Sequence, residues 1–432
     1  MSRSASTGAD ATSHPLTRAR SEPSRRLRPL LFVGIDLGRW LHVASVVDAN
    51  GGFVAEQGFE HSVEGLASII DWLIDLAEQD PKRIWVAIEK PHGAVVETLL
   101  ARGIVVFAVN PKQVDRFRDR IALSGAKDDR RDAFVLADAL RTDAHRFQKL
   151  SLPPPDIIIL REHLRSRSQL VKQHVALSSQ LRELIVGCWP HLLELAPKNK
   201  TLDVFFGELL LFFFELDNAN MDSLRTLIKK HRIRRVSFED VIRTLQAPAL
   251  YTAPGTTDAA KAHVTLLVRQ LLLVIRLRHD ADQFLEKWFN ERKRPSENKL
   301  TDAAILASLP GVGALVLASL FCYANDAIRL RNLDALRSLG GVAPVTKQSG
   351  KRRQVLLRRA RSQPLNFALH HWGHMAALRD SRSQQHYQRL RDKGHNHARA
   401  LRGVLDRLLT VAIAMLRDKT LYDATKRKEI SS

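Results

Sequence analysis

Between Leu31 and Leu150, apolar runs of strand length alternate with segments of helical spacing, which restricts this stretch to a mixed α/β sheet. Leu31–Asp36 is a short continuous apolar run and reads as a buried strand. Leu41–Val47 and Phe53–Phe59 follow, separated by Asn50-Gly51-Gly52. Two such runs joined through Asn-Gly signal a hairpin, because that dipeptide accepts the positive φ angles of the turn. Next come a helix over His61–Glu78, a strand over Ile84–Glu89, a helix over Gly93–Arg102, a strand over Ile104–Asn110 and a short helix over Pro111–Arg118. Asp129–Leu140 is amphipathic, with Phe134, Leu136 and Ala137 on its apolar side. The expected product is three antiparallel strands followed by strands joined through helices.

Four carboxylates punctuate this pattern. Asp36 in VGIDLGRW and Glu89 in VAIEKPHG each end an apolar strand, and Asp129 and Asp132 in AKDDRRDAFVLADAL lie one helical turn apart. A charged carboxylate at the end of a strand buried on both faces needs a partner, because desolvating it is costly. A hard divalent cation such as Mg²⁺ prefers oxygen ligands. Two such ions about 4 Å apart clamp the attacking and leaving oxygens of a phosphodiester. Strand-borne acids with a helix-borne pair therefore suit a nuclease of the ribonuclease-H type. Spacing alone leaves simpler readings open. Asp36 would form a turn before Gly38, Glu89 would be an exposed strand end beside Lys90, and Asp129 and Asp132 would be a solvated acidic turn paired with Arg130 and Arg131. Asp128 is suited to cap the helix.

The charge balance narrows the partner. With 67 Lys and Arg against 46 Asp and Glu, the 432-residue chain has a formal net charge of +21. That points to a polyanion: nucleic acid first, an anionic membrane surface as the rival. The two cysteines, Cys188 and Cys322, exclude a disulfide framework and a Cys-rich zinc site, and suit a reducing cytoplasm. The most lipid-like stretch, LDVFFGELLLFFFEL over Leu202–Leu216, carries Asp203, Glu208 and Glu215 and falls short of the ~20 residues of a spanning helix. It reads as a buried or dimer-facing helix. Residues 1–29 are rich in Ser and Arg, lack the apolar core of a secretory signal, and read as a disordered basic arm.

The expected organisation is a catalytic α/β domain over 30–150, a helical coiled-coil linker and dimerisation region over 151–300, and a small helical domain over 301–432. Pro153-Pro154-Pro155 marks the first linker. Leu170, His174, Leu177, Leu181 and Leu184 form one seam at coiled-coil spacing. Val264, Leu267, Leu271, Val274, Arg278, Ala281, Leu285 and Trp288 form another, interrupted by Arg278. A bundle core and a dimer seam both fit them.

In the last region, LASLPGVGALVLASL places Pro310-Gly311-Val312-Gly313 between two apolar helices, a turn able to hold a phosphate at a helix N-terminus. Arg329–Arg361 holds ten basic residues and one acidic residue, Asp334. Within it Lys347, Lys351, Arg352, Arg353, Arg358 and Arg359 are candidate contacts to nucleic-acid phosphates. Ser349, in Gln-Ser-Gly-Lys-Arg-Arg, would be a nucleophile only if activated and if cations stabilise the developing charge. A turn that merely holds phosphate is the plainer alternative. His370 and His374 have the spacing of a zinc pair without a clear third ligand, so a packed or surface helix face is preferred.

Taken together, these motifs resemble the DEDD transposases of the insertion-sequence-110 family, which are similar to the Piv-type DNA invertases. The resemblance runs over roughly residues 31–420. It is carried by Gly34-Ile35-Asp36, Glu89 in AIEKPHG, Asn110-Pro111, KDDRRDA, LPGVG, Leu339-Gly340-Gly341-Val342-Ala343-Pro344 and Gln348-Ser349-Gly350-Lys351. It implies a RuvC-like ribonuclease-H fold, a coiled-coil region and a small helical transposase domain. It further implies a Mg²⁺ site (Mn²⁺ as a substitute) formed by Asp36, Glu89, Asp129 and Asp132, and Ser349 as the residue that joins a DNA 5′ phosphate. Donor and target DNA, a structured noncoding bridge RNA as guide, and a homodimer that pairs into a tetramer are the implied partners. The family reads Lys-Thr-Asp where this chain has Lys127-Asp128-Asp129, and the spacing to Asp132 assigns the ligand to Asp129. The rival readings are a hydrolytic RuvC-type endonuclease on branched DNA and a non-catalytic nucleic-acid-binding regulator.

Overall fold

The computed structural model describes residues 31–121, 128–215, 221–294, 300–349 and 352–423. The side chains of Lys347, Ser349, Arg352 and Arg353, the whole of Gly350 and Lys351, and the basic arm over 1–29 lie outside the described residues. The chain divides into two compact units, the first ending at Pro153 and the second beginning at Pro154.

The first unit is built on a six-stranded mixed sheet. Its elements are β1 (Leu31–Leu37), β2 (Leu41–Asp48), β3 (Phe53–Glu60), α1 (Val63–Leu76), β4 (Ile84–Ile88), α2 (Ala94–Ala101), β5 (Val105–Ala108), α3 (Pro111–Ile121), α4 (Asp129–Asp143) and β6 (Gln148–Lys149). The sheet order is β3-β2-β1-β4-β5-β6. β1, β2 and β3 are antiparallel, with Gly51 at φ +91° in the turn that joins β2 to β3. β1, β4 and β5 are parallel, and β6 returns antiparallel. At two residues, β6 is too short for its pattern to show in the sequence.

Alternation along the strands separates two cores. Val33 and Ile35 of β1 and Val86 and Ile88 of β4 face α1 and α2, burying Ile69, Ile70, Leu73 and Leu99. Phe32 and Ala87 face the other way, against Val135, Leu136, Ala137 and Leu140 of α4. Phe134, expected on the apolar face of α4, is only half-buried; Ala133, Val135 and Leu140 carry that role instead.

The second unit is almost wholly helical. It opens with α5 (Pro155–Cys188), so the three-proline linker is shorter than the sequence suggests: Pro155 already sits in the first turn, where its missing N–H costs nothing. Then come α6 (Val204–Glu215), α7 (Met221–His231), α8 (Phe238–Gln246) and α9 (Thr256–Arg292). α5 and α9 pack along each other. Leu181 of the first seam and Val264 and Leu271 of the second are buried in one core with the phenylalanines of α6, so both seams are filled from within the chain. The lipid-like stretch is the buried helix α6, and no described helix is long and apolar enough to cross a membrane.

The chain continues through α10 (Asp302–Ala307), α11 (Ala314–Tyr323), α12 (Asn325–Arg329), α13 (Leu333–Leu339), a hairpin of β7 (Val345–Ser349) and β8 (Arg352–Leu356), α14 (Gln363–Arg379), α15 (Ser381–Asp392) and α16 (His397–Asp418). The expected boundary near 300 does not separate two cores. Leu160 and Leu164 of α5 and Leu285 and Trp288 of α9 are buried with Leu317 of α11, Trp372 of α14 and Leu409 of α16. The LPGVG turn is a packing device. A Cβ at Gly311 would stand 2.9 Å from the backbone nitrogen of Ala376, and the Trp372 indole N–H donates to the Pro310 carbonyl at 2.8 Å.

Burial pushes the imidazoles of His42, His174, His370, His371 and His386 below their ordinary pKa. The unfolded chain then binds more protons than the native one once pH falls below the usual histidine range, so stability drops with acidity there. The thermal midpoint should be lower at pH 5.5 than at pH 7.5. The drop should shrink in His174→Gln, which cannot take up the proton; an undiminished drop would remove His174 from the account.

Candidate active site

The register of the parallel strands pairs Ile35 with Ile88. The next residues therefore stand at the same level, Asp36 inside β1 and Glu89 just past the end of β4. By the period of two, both share the sheet face of Gly34 and Ala87, which is the face that α4 covers. Both side chains are half-buried.

Gly34 sets how closely α4 approaches. A Cβ there would lie 1.9 Å from the Ala133 carbonyl oxygen and 2.5 Å from the Ala137 nitrogen, so helix backbone rests directly on strand backbone. At the other end of the sheet, Gly51 lies against the Arg141 guanidinium. α4 thus runs antiparallel to β1, with its N-terminus toward Asp36. Asp128 is the N-cap, its carboxylate accepting from the Arg130 N–H at 3.3 Å. The positive end of the helix dipole and its first-turn acids, Asp129 and Asp132, are aimed at the Asp36–Glu89 end of the sheet.

The two helix acids differ in environment. Asp129 is exposed, whereas Asp132 is 4% exposed. Arg118 of α3 supplies the charge that burial demands: its Nε donates to Asp132 Oδ1 at 2.8 Å and its Nη1 donates to Asp115 Oδ1 at 3.0 Å. The hydrogen bond to Asp132 raises the guanidinium pKa further. Nothing in the sequence marks Arg118 as the partner, because the pairing depends on how α3 returns against α4.

The four carboxylates are an all-oxygen donor set, which is the chemistry of a hard divalent cation. Their backbone placement fits such an ion, with three elements delivering acids to one end of the sheet. Among the described residues, however, no group of three or more His, Cys, Asp or Glu side chains is gathered closely enough to hold one. Asp132 turns instead to Arg118.

Ser349 is the last residue of β7 and pairs with Arg352, the first of β8. What the sequence presents as a turn in a helical domain is the end of a β-ladder. Arg359 is exposed and Arg358 half-buried. Arg361 packs its side chain over Gly341, whose φ of +69° favours glycine, and Asn366 Nδ2 donates to the Gly340 carbonyl at 2.8 Å. The Gly340-Gly341 pair thus packs against the start of α14 and Arg361 just before it. His370 and His374 belong to no described metal cluster.

Comparison with known proteins gives two family matches. Residues 33–190 match a DEDD-type family model described as Transposase, and residues 303–388 match one described as Transposase IS116/IS110/IS902 family. Together they cover more than half of the chain. "Putative transposase y4uE" of Sinorhizobium fredii is 39% identical over 226 residues, covering 50% of this chain and 61% of that protein. "Mini-circle putative transposase for IS117" of Streptomyces coelicolor is 28% identical over 88% of this chain and 92% of its own length. "Insertion element IS116 uncharacterized 44.8 kDa protein" of Streptomyces clavuligerus is 27% identical over 91% of this chain and 96% of its own length.

Proposed function

We propose that this chain, which belongs to the IS110 family of transposases, cuts and rejoins DNA with a carboxylate-held metal centre and a serine nucleophile. The observation that carries this reading is the contact of Gly34 with α4, which brings Asp36, Glu89, Asp129 and Asp132 to one end of the sheet. The strand order, with an antiparallel hairpin beside three parallel strands, supports a RuvC-like ribonuclease-H fold. Mg²⁺ or Mn²⁺ held by the four carboxylates would supply Lewis-acid charge stabilisation at the scissile phosphate. Arg118 engages Asp132 at Oδ1, and a carboxylate can accept that hydrogen bond and ligate a cation at the same time.

In the proposed chemistry the Ser349 hydroxyl attacks the phosphorus. The Oγ–P bond forms, the P–O3′ bond breaks, and the serine proton ends on the departing 3′ oxygen. The DNA 5′ phosphate is then esterified to the protein, and attack by a 3′ hydroxyl reverses the step without net hydrolysis. Lys347, Lys351, Arg352, Arg353, Arg358 and Arg359 would neutralise phosphates of DNA or of a guide RNA, so binding should weaken steeply with salt.

The test is a covalent adduct. Incubated with element-end DNA and Mg²⁺, the protein should form a DNA–protein ester that maps to Ser349 and is absent from Ser349→Ala. Cleavage without an adduct, unaffected by that substitution, would overturn the serine mechanism in favour of hydrolysis. Sequencing RNA that co-purifies with the protein expressed from its intact locus tests the guide.

A homodimer would use a face of α9 other than the seam the sequence suggests, because that seam is filled by α5 and α6. Leu266, Leu273 and Leu277 are 57%, 55% and 43% exposed and line one stripe of α9. Leu273→Lys should shift the protein from dimer to monomer in light scattering without lowering its helix content. A dimer of unchanged stability in that variant would move the interface elsewhere.

A further inference from the structure

The packed helices of the second unit border an open cavity of about 500 Å³ between α5, α9 and the loop that enters α6. His174 of α5 and Arg278 of α9 form one wall, and they are the two polar interruptions of the apolar seams. Arg278 Nη1 donates to His174 Nδ1 at 3.0 Å, and His174 Nε2–H donates to the Leu202 carbonyl at 2.8 Å. Because an arginine only donates, Nδ1 has to carry the lone pair, and the imidazole is the neutral Nε2–H tautomer. Burial, aided by the nearby Arg278 charge, keeps it neutral.

His174 therefore orients Arg278 without neutralising it. The Nε of Arg278 is buried and has no hydrogen-bond partner. The acid in the lining is already engaged. Asp203 accepts from Arg235 at 2.8 Å and from the Phe206 N–H at 2.9 Å, at the start of α6. Arg182 Nη2 donates to the carbonyls of Pro197 at 2.8 Å and Asn199 at 2.9 Å, which pins the loop and holds Lys198 at the rim. Two cations, Arg278 and Lys198, thus meet around a cavity whose carboxylate is spent on Arg235.

We propose that this cavity is a phosphate-binding site, with Arg278 and Lys198 as its cationic ligands. The Nε edge of a guanidinium matches a tetrahedral oxyanion. An anion there would offset the Arg278 charge, which the neutral His174 leaves uncompensated. The phosphate comes either from a free nucleotide or from a nucleic-acid backbone. The site lies outside the carboxylate cluster and does not depend on how DNA is cut.

Full-length protein titrated with inorganic phosphate, at ionic strength held constant with chloride, tests the site through the thermal midpoint. Phosphate should raise the midpoint of the wild type and of the control Lys287→Ala, an exposed α9 position outside the cavity. Apparent affinity should fall by about tenfold or more in Lys198→Ala and in Arg278→Gln. If Arg278→Gln does not fold, the exposed Lys198 position decides alone. No phosphate-specific rise in the wild type, or equal affinity in Lys198→Ala and Lys287→Ala, overturns the proposal. Both sources uphold the site and are separated by competition. Adenosine monophosphate displacing phosphate at lower concentration than a ten-nucleotide RNA indicates a free nucleotide, and the reverse order indicates a backbone.

Discussion

Asparagine at Asp132 should lower DNA strand cleavage by about a thousandfold while leaving the protein folded. Asp132 is the most buried of the four carboxylates, and its position in the first turn of α4 is fixed by the Gly34 contact one residue away. The substitution keeps the shape and one oxygen acceptor for Arg118 Nε, and it removes only the charge that would bind a cation. Asp132 also has a structural role, because it neutralises Arg118. Breaking a buried ion pair by removing one partner is destabilising. Here the loss is reduced, because Arg118 keeps a second carboxylate, Asp115, at 3.0 Å. Arg118→Met separates the two roles: it deletes the same ion pair and leaves every carboxylate in place. A metal ligand predicts that Asp132→Asn is inactive and Arg118→Met keeps cleavage within about tenfold of wild type. If both variants lose activity in proportion to a lowered thermal midpoint, Asp132 is structural and the metal reading fails at that residue.

Much of the first unit is legible in the sequence because its signals are local. The Asn50-Gly51 hairpin, the buried strands β1 and β4 and the amphipathic α4 each follow from composition and period over fewer than about fifteen residues. The missing parts depend on tertiary contacts. Two-residue β6 has no pattern of its own and exists because β5 offers an edge. The Arg118–Asp132 pair requires α3 to fold back on α4. The helical seams of α5 and α9 are visible as spacing, yet spacing cannot say whether the partner is another segment or another chain. Leu181 of the first seam and Val264, Leu267 and Leu271 of the second lie in one core with α6, Leu285 and Trp288 lie in the core that α11, α14 and α16 share, and Leu266, Leu273 and Leu277 face out. The polar interruptions His174 and Arg278 look like flaws in a coiled coil, but they face each other and form one wall of a cavity. At the site, the order strand, strand, helix is enough to nominate the acids. How closely α4 approaches β1 rests on Gly34, and that contact is visible only once helix and strand are packed.

That glycine carries the largest stability effect. Gly34→Ala should destabilise the first unit by about 3 kcal/mol or more, lowering its thermal midpoint by roughly 10 °C. The added methyl carbon would stand 1.9 Å from the Ala133 carbonyl oxygen, 2.5 Å from the Ala137 nitrogen and 2.7 Å from the Leu136 Cβ. Two of these atoms are backbone and the third is fixed to it, so no rotamer change relieves the overlap. α4 has to lift off β1 as a body. Phe32, Val47 and Ala87 then lose the helix face that buries them. The same displacement carries Asp132 away from Asp36 and Glu89, so activity should fall together with stability. Gly58→Ala in β3 is the control, since its nearest neighbour would be 3.8 Å away and the strand accepts a side chain there. Its midpoint should stay close to that of wild type. If Gly34→Ala melts within about 2 °C of Gly58→Ala, less than one kcal/mol separates them. The close seating of α4 on β1 would then be wrong, and with it the geometry that draws the four carboxylates to one end of the sheet.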